Sequence, residues 1–114
     1  MTTNSKYFLG TKVALIIDRP LGSKHPKHGF VYEVNYGYVP DTISPDGEEL
    51  DAYFLGEKKP LKKASGICIA IVRRTNDNDD KLVVVPKGIK LTDKEIEEQI
   101  AFQEKWFDHV LVRG

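Results

Sequence analysis

The feature of this sequence that most limits its possible folds is a series of short apolar runs rich in β-branched residues. These runs occupy residues 12–18, 30–39, 50–55, 66–73 and 81–85. Runs of this length and composition predict strands rather than helices. Turn-forming segments lie between them, and the clearest is 44–47, where proline and glycine favour a tight turn. We therefore expect a protein built mainly of short strands.

One segment near the end of the chain has helical periodicity instead. Thr92 and Glu95 have the spacing of a capping box, in which each side chain satisfies an end N–H group. Core-facing side chains then recur at helical spacing, at Ile96, Ile100, Gln103 and Phe107. This pattern predicts one amphipathic helix over 93–108, followed by a short strand within 109–114. The expected fold class is mainly β with α (α+β): a small β-barrel with a C-terminal helix packed on it.

Length, charge and cysteine content exclude several classes of protein. The chain has 114 residues, and at roughly 100–200 residues per domain we expect a single domain spanning 1–114. Its 17 basic and 17 acidic residues leave no net charge, which argues against a protein that coats nucleic acid non-specifically. Cys68 is the only cysteine, so neither an internal disulfide nor a cysteine-based zinc site can form, and we expect Cys68 in the core.

Targeting and membrane signals are the next features to consider. Residues 1–6 lack the apolar stretch of a signal peptide. No apolar run approaches the ~20 residues that a membrane-spanning helix needs. The sequence therefore predicts a cytoplasmic protein that does not act at a membrane.

Two dense acidic clusters could carry chemistry. The first lies in 46–51, at the entry to a predicted strand, and the second in 77–80, at a hairpin tip. Acidic residues favour turns for local reasons, so both clusters could be solvated turns. The alternative is a site for a hard cation such as Mg²⁺, which prefers oxygen ligands and is often held by a few carboxylates plus substrate phosphate.

A basic loop and a set of tyrosines are the other candidates. The loop carries Arg19, Lys24, His25, Lys27 and His28. It could be a solvated loop or an anion-binding cradle. The histidines could instead bind a transition metal, but no carboxylate follows at ligand spacing. Among the tyrosines, Tyr36 lies before the flexible Gly37, and we expect its hydroxyl to reach a ligand.

Three stretches together resemble a known family. They are the Asn-Tyr-Gly-Tyr motif at 35–38, the acidic motif at 46–51, and Asp-Asp-Lys-Leu followed by three valines and proline at 79–86. This combination is similar to the signature of the soluble family I inorganic pyrophosphatases. The resemblance covers about residues 30–107. It implies a five-stranded, OB-like barrel and Mg²⁺-dependent hydrolysis of pyrophosphate to two phosphates, with Mn²⁺ as a possible replacement.

The resemblance also implies roles for individual residues. The metal ligands that it implies are Asp46, Asp51 and Asp79, together with Asn76 or Asp77 in the hairpin. Glu48 falls where the family has the residue that activates the nucleophilic water, and the Tyr36 hydroxyl would meet the substrate or that water. The substrate-binding residues would be Lys81, Lys24, Arg19 and Tyr36. The expected partner is a small phosphate substrate rather than nucleic acid, and the chain could form a homo-oligomer.

Several positions depart from the family pattern. Asn76 replaces a carboxylate ligand, and Glu48 is one methylene longer than the usual aspartate. Phe107 and Asp108 occupy the positions of a Tyr-Lys pair that contacts phosphate. These departures leave two alternatives open. One is a non-hydrolytic module that kept the barrel and binds a metal with phosphate or a nucleotide, and the other is a hydrolase of another phosphoanhydride.

Overall fold

The computed structural model of the protein describes residues 3–44, 47–76 and 79–114. In these ranges the chain forms a short 3-10 helix at Ser5–Phe8, six strands and one α-helix. The strands are β1 (Lys12–Arg19), β2 (Asn35–Val39), β3 (Leu50–Phe54), β4 (Lys63–Arg74), β5 (Asp80–Val85) and β6 (His109–Arg113). The helix, α1, is Asp93–Glu104. The five predicted strands and the short terminal strand are confirmed.

Five of the strands close into a barrel. Their order is β1-β2-β3-β5-β4, and β4 pairs back onto β1. The pair β3–β5 is parallel, and the other pairs in the barrel are antiparallel. The strand β6 adds to the second half of β4, outside the ring. This closure confirms the predicted five-stranded barrel and removes the exposed edges that an open sheet of these strands would present.

The core has two parts, one inside the barrel and one beneath the helix. Side chains of β1 alternate between buried and exposed, with Val13, Leu15 and Ile17 pointing into the barrel. Cys68 is also fully buried there, as predicted, and burial raises the pKa of its thiol to about 11. On the other face of the sheet, Ile96 and Ile100 of α1 are fully buried. The helix therefore packs on the barrel with the predicted apolar face.

Two predicted boundaries were wrong. The capping box at Thr92 and Glu95 forms as expected, but α1 ends at Glu104 and not at 108. The chain turns there because the Phe107 N–H donates to the Glu104 carbonyl and Thr75 N–H binds the Asp108 carbonyl, which leads into β6.

The second wrong boundary is the start of β2. Residues 30–34 do not belong to that strand, and residues 30–32 pair instead with the preceding loop. In this loop the Tyr32 N–H donates to the Ser23 carbonyl, and the His25 N–H donates to the Phe30 carbonyl. The loop therefore folds back on itself before β2 begins at Asn35.

A close crossing of β1 and β2 requires glycine at position 37. A Cβ atom added to Gly37 would lie 1.9 Å from the Ile16 carbonyl oxygen, a distance that no side chain tolerates. The pairing of the two strands shifts here, from Ile16 opposite Tyr38 to Arg19 opposite Tyr36. This irregularity sets Arg19 beside the tyrosine. None of the helices in the described ranges is long and apolar enough to cross a membrane.

Candidate active site

A cavity of about 780 Å³ opens where β1, the loop after it and the end of α1 meet the central strands of the barrel. Its walls carry charged side chains and aromatic rings. The lining residues are Asp18, Arg19, His25, His28, Phe30, Tyr32, Tyr36, Asp51, Arg74, Lys81, Gln103, Trp106 and Phe107. Every named strand of the barrel contributes at least one of them. The volume lies in the range of about 300–1,000 Å³ that is typical of small-molecule sites.

Lys81 lies at the centre of the charged part of the cavity. The parallel pairing of β3 and β5 puts Asp51 opposite Lys81. The Lys81 ammonium contacts the Asp51 Oδ2 atom at 3.0 Å and the Asp79 Oδ2 atom at 3.1 Å, and its side chain is 3% exposed. Burial alone would lower the pKa of Lys81, but the two carboxylates outweigh it and the pKa lies above its ordinary value. A permanently charged ammonium therefore joins two of the predicted ligand residues.

Tyr36 stands next to this group as a neutral hydrogen-bond donor. Its ring centroid is 5.6 Å from Lys81 Nζ, and its hydroxyl bonds to the Asp51 carboxylate. Burial and the Asp51 charge hold the pKa of Tyr36 well above 10. The phenol therefore stays protonated near neutral pH and cannot act as a base. Its single O–H is donated to Asp51, so it must give up that partner before it can donate to another oxygen in the cavity.

Asp18 and Arg19 enter the cavity from the end of β1. Burial raises the pKa of Asp18, and neighbouring Arg19 offsets part of this rise. The Arg19 guanidinium also opposes the rise that burial causes in the pKa of Tyr32. These two residues place a cation and a carboxylate on the same wall as Tyr36.

Asn35 holds the loops around the cavity in place, a role that the sequence motif did not suggest. Its side chain is fully buried. The side-chain carbonyl accepts hydrogen bonds from the backbone N–H groups of Leu21 and Leu61, both at 3.0 Å. Its amide donates to the Lys59 carbonyl at 2.9 Å. One side chain thereby connects two loops to β2 and positions the segment that follows Arg19.

A buried ion pair, also missed from the sequence, supports the opposite wall. Arg74 Nε and Nη2 donate to the two carboxylate oxygens of Glu104 at 3.0 and 2.9 Å. The guanidinium carbon lies 3.7 Å from the centroid of the Phe107 ring. Glu104 also accepts a short hydrogen bond from Tyr53, which in turn accepts one from Gln103.

The sequence contains a signal that could have indicated this pair. Glu104 follows Ile100 by four residues, so it falls on the buried stripe of the helix. A carboxylate on that stripe requires a buried cationic partner, because an unpaired buried charge is costly. The sequence does not identify Arg74 as that partner, since the two residues are far apart in the chain.

Comparisons with known proteins agree with the resemblance seen in the sequence. The family model described as inorganic pyrophosphatase matches residues 2–111. The chain belongs to the inorganic pyrophosphatase family. It is 30% identical over 93 residues to the inorganic pyrophosphatase of Saccharolobus solfataricus, an alignment that covers 77% of this chain and 51% of that protein. It is 38% identical over 64 residues to that of Neisseria meningitidis, covering 50% and 34%. The chain thus spans about half the length, or less, of these relatives.

Solved structures of inorganic pyrophosphatases share the fold of this family member. The structure from Ehrlichia chaffeensis superposes with a TM-score of 0.71 at 14% identity, covering 92% of this chain and 87% of the other. The one from Thermus thermophilus gives 0.60 at 17% identity, covering 98% and 84%. At these identities the likeness concerns the fold alone.

The predicted site residues of this pyrophosphatase family member divide into three groups. Arg19, Tyr36, Asp51 and Lys81 line the cavity, and Asp79 joins them through Lys81. The described lining of the cavity does not include three other predicted residues. These are Lys24, exposed on the loop after β1; Glu48, exposed before β3; and Asn76, exposed after β4. The third group, Asp46 and Asp77, lies outside the described residues.

The carboxylates present fit a divalent metal of the kind the resemblance implies. Asp51 and Asp79 supply oxygen ligands, which Mg²⁺ and Mn²⁺ prefer. Within 3–44, 47–76 and 79–114, no three His, Cys, Asp or Glu side chains form a group that could hold a metal alone. Mg²⁺ is often held by one or two carboxylates, with water and substrate phosphate completing its shell. The donor set therefore suits an ion that binds together with a phosphate substrate.

Proposed function

We propose that this chain hydrolyses inorganic pyrophosphate to two phosphates with the help of Mg²⁺, which Mn²⁺ could replace. The observation that carries the proposal is the grouping of Lys81, Arg19 and Tyr36 with the Asp51 carboxylate in one cavity. Membership of the inorganic pyrophosphatase family supports it. This chain spans only about half the length of the relative from Saccharolobus solfataricus, so we propose that activity for it.

Cations in the cavity would neutralise the substrate. Pyrophosphate carries several negative charges, which repel a nucleophile until cations screen them. Arg19 and Lys81 would bind phosphate oxygens, since charge-assisted hydrogen bonds to anions are the strong ones. Arg74 adds a third positive charge to the lining and remains paired with Glu104. The Tyr36 hydroxyl would exchange its hydrogen bond to Asp51 for one to a phosphate oxygen or to the attacking water.

The reaction itself needs only water as co-reactant. A water oxygen forms a bond to one phosphorus while the bond from that phosphorus to the bridging oxygen breaks. The electron pair of the broken bond leaves with the second phosphate. We propose Glu48 as the carboxylate that takes the proton, on the strength of the family resemblance. Asp51 and Asp79, with Asp46 by resemblance, would hold the divalent ion. When bound, that ion would neutralise phosphate charge and acidify water.

We propose that residues 1–114 form a single domain, that the protein acts in the cytoplasm, and that it could assemble with further copies of itself. The substrate would be a small phosphate compound. Weaker pyrophosphate binding than in longer family members is expected, because Phe107 and Asp108 replace the phosphate-contacting Tyr-Lys pair.

The test is phosphate release from pyrophosphate with and without Mg²⁺ and Mn²⁺. We expect metal-dependent release, and we expect Asp51→Asn to reduce kcat/KM at least a hundredfold with an unchanged circular dichroism spectrum. Asp93→Asn is the matched control, since Asp93 is 67% exposed and pairs with Arg113 instead. Full turnover by Asp51→Asn at saturating Mg²⁺ would overturn the role of Asp51. Pyrophosphate binding by calorimetry without any phosphate release would favour the non-hydrolytic binding module.

A further inference from the structure

A continuous series of aromatic rings forms the wall of the cavity that lies beyond the charged groups. It runs from Tyr36 to Tyr32, then to Phe30 and on to Trp106, with 5.4 Å between the ring centroids at each step. His25 joins the series at 4.8 Å from Phe30. The rings thus lead away from Lys81, which lies 5.6 Å from the Tyr36 centroid at the charged end.

Pyrophosphate leaves this aromatic wall without a role. It is a small anion composed of phosphorus and oxygen, and it offers no apolar face for a ring to contact. Yet Trp106 lines the cavity and is 57% exposed, with Lys105 Nζ 4.6 Å from its ring centroid, so part of the indole surface is open to a flat ligand. The cavity, at about 780 Å³, also has room for a drug-sized organic molecule.

The histidine in this wall behaves as a neutral flat ring. His25 Nδ1 accepts hydrogen bonds from the backbone N–H groups of Lys27 and His28, both at 3.1 Å. An acceptor nitrogen carries no proton, so this geometry favours the uncharged imidazole. His25 also packs on the His28 ring at 4.7 Å. The outer end of the cavity is therefore aromatic, while its inner end is charged.

This division matches a ligand with phosphates at one end and a planar base at the other. We propose that the cavity binds a nucleoside 5′-polyphosphate, with the phosphates at Lys81 and Arg19 and the base against Trp106 and Phe30. The inference rests on the proposed function, because the same hydrolysis would act on the terminal phosphoanhydride. A water oxygen would bond to the terminal phosphorus and the bridging P–O bond would break. The products would be inorganic phosphate, a proton and the nucleotide with one phosphate fewer.

Two non-hydrolysable probes separate the aromatic contribution from the phosphate contribution. Imidodiphosphate presents only the phosphates, and adenosine 5′-(β,γ-imido)triphosphate presents the same group with a base. Trp106 is the only tryptophan in the chain, so its fluorescence reports contact with the base directly. At fixed Mg²⁺ we expect the adenosine probe to bind roughly tenfold more tightly or better. We expect it alone to quench Trp106.

Two variants test the assignment of the base site. Trp106→Ala should reduce the affinity for the adenosine probe most of the way to that for imidodiphosphate, since the contact with Phe30 remains, and should leave imidodiphosphate binding unchanged. Tyr7→Ala is the matched control, because Tyr7 is 78% exposed and is not part of the cavity lining. It should leave the binding of both probes unchanged.

The outcomes distinguish this inference from the proposed function. Equal affinity for both probes without quenching would overturn the base site, while phosphate release from pyrophosphate would still support the proposed function. An equal loss of affinity for both probes in Trp106→Ala would also overturn the base site, since the indole would then act only in packing. Binding of neither probe, together with no phosphate release, would overturn both proposals.

Discussion

The Arg74 guanidinium and the Glu104 carboxylate form a two-pronged ion pair that joins β4 to α1. Both side chains are buried, at 7% and 0% exposure. The carboxylate keeps its charge because its bonds to Arg74 and Tyr53 outweigh burial, which by itself would raise its pKa; the pKa of Glu104 therefore lies below its ordinary value. The pair holds the end of the helix, and with it Phe107, against the cavity.

Removing one partner of this pair should cost more than removing both. Glu104→Gln would leave the buried Arg74 charge with only its longer contact to Asp79, at 3.8 Å, and we expect a loss of up to about 3–5 kcal/mol in the free energy of unfolding. The double variant Arg74→Met with Glu104→Gln removes both charges and retains an acceptor for Tyr53, so it should be more stable than Glu104→Gln alone. Urea unfolding measures the free energy of unfolding of the wild type, the single variant and the double variant. A double variant less stable than the single one would contradict the pairing argument.

Arg19 and Lys24, both predicted to bind phosphate, lie in different positions, so their alanine variants should differ in their effect on KM. Arg19 lines the cavity, whereas Lys24 is exposed on the loop and pairs through its backbone with Val31. A charge-assisted hydrogen bond contributes about 1.5–3 kcal/mol, so Arg19→Ala should raise KM for pyrophosphate roughly 10- to 100-fold. Lys24→Ala should change KM less than about twofold, as for an ordinary surface substitution. Steady-state kinetics measure both KM values, and a larger effect of Lys24→Ala than of Arg19→Ala would contradict the assignment of Arg19 to the phosphate site.

Asn76 should limit the affinity for the metal. It is exposed at the turn after β4, and by resemblance it stands where the family has a carboxylate. Its amide oxygen carries no full charge, so Asn76→Asp should lower the Mg²⁺ concentration that gives half-maximal activity by about tenfold. Asn4→Asp is the control, since Asn4 caps the 3-10 helix and aspartate caps equally well. An unchanged Mg²⁺ titration would show that position 76 does not take part in binding the metal.

Two carboxylates are candidates for the general base that takes the proton from the attacking water. Family resemblance assigns Glu48, and the cavity lining contains Asp18. We expect Glu48→Gln to lower kcat by about 10²- to 10⁴-fold, the usual contribution of general base catalysis. Asp18→Asn should affect kcat much less. If Asp18→Asn is inactive and Glu48→Gln is active, then Asp18 of β1 is the general base, and the assignment of that role to Glu48 is wrong.

His25 should titrate below its ordinary value of 6.5 in the folded protein. Burial and the nearby His28 lower the pKa of His25, and its ring nitrogen accepts two backbone N–H groups. The unfolded chain then binds more protons than the folded one just below pH 6.5. Stability from this group is therefore present above pH 6.5 and declines as the pH falls toward the folded-state pKa. A chemical-shift titration of the His25 ring by NMR measures the midpoint, and a midpoint above 6.5 would contradict the geometry.

Local features of the sequence determined the elements and part of the site. β-Branched runs predict strands because their side chains suit a pleated, half-buried surface, and Thr92 and Glu95 predict the helix start because the two groups satisfy each other locally. Tyr36, Asp51 and Lys81 could be grouped because their motifs are specific. The helix end could not be predicted, because Asp108 leaves the helix to pair with Thr75, which is distant in the sequence.

Only the tertiary structure decided which distant residues meet. The parallel register of β3 and β5 sets Asp51 beside Lys81, and a shift of one residue would turn every following side chain to the other face. The contact between Arg74 and Glu104 depends on where α1 packs on the barrel, and the aromatic wall depends on how the loop after β1 folds back. Such contacts are decided by the packing of the whole chain, because residues far apart in sequence carry no local signal of the partner that they meet.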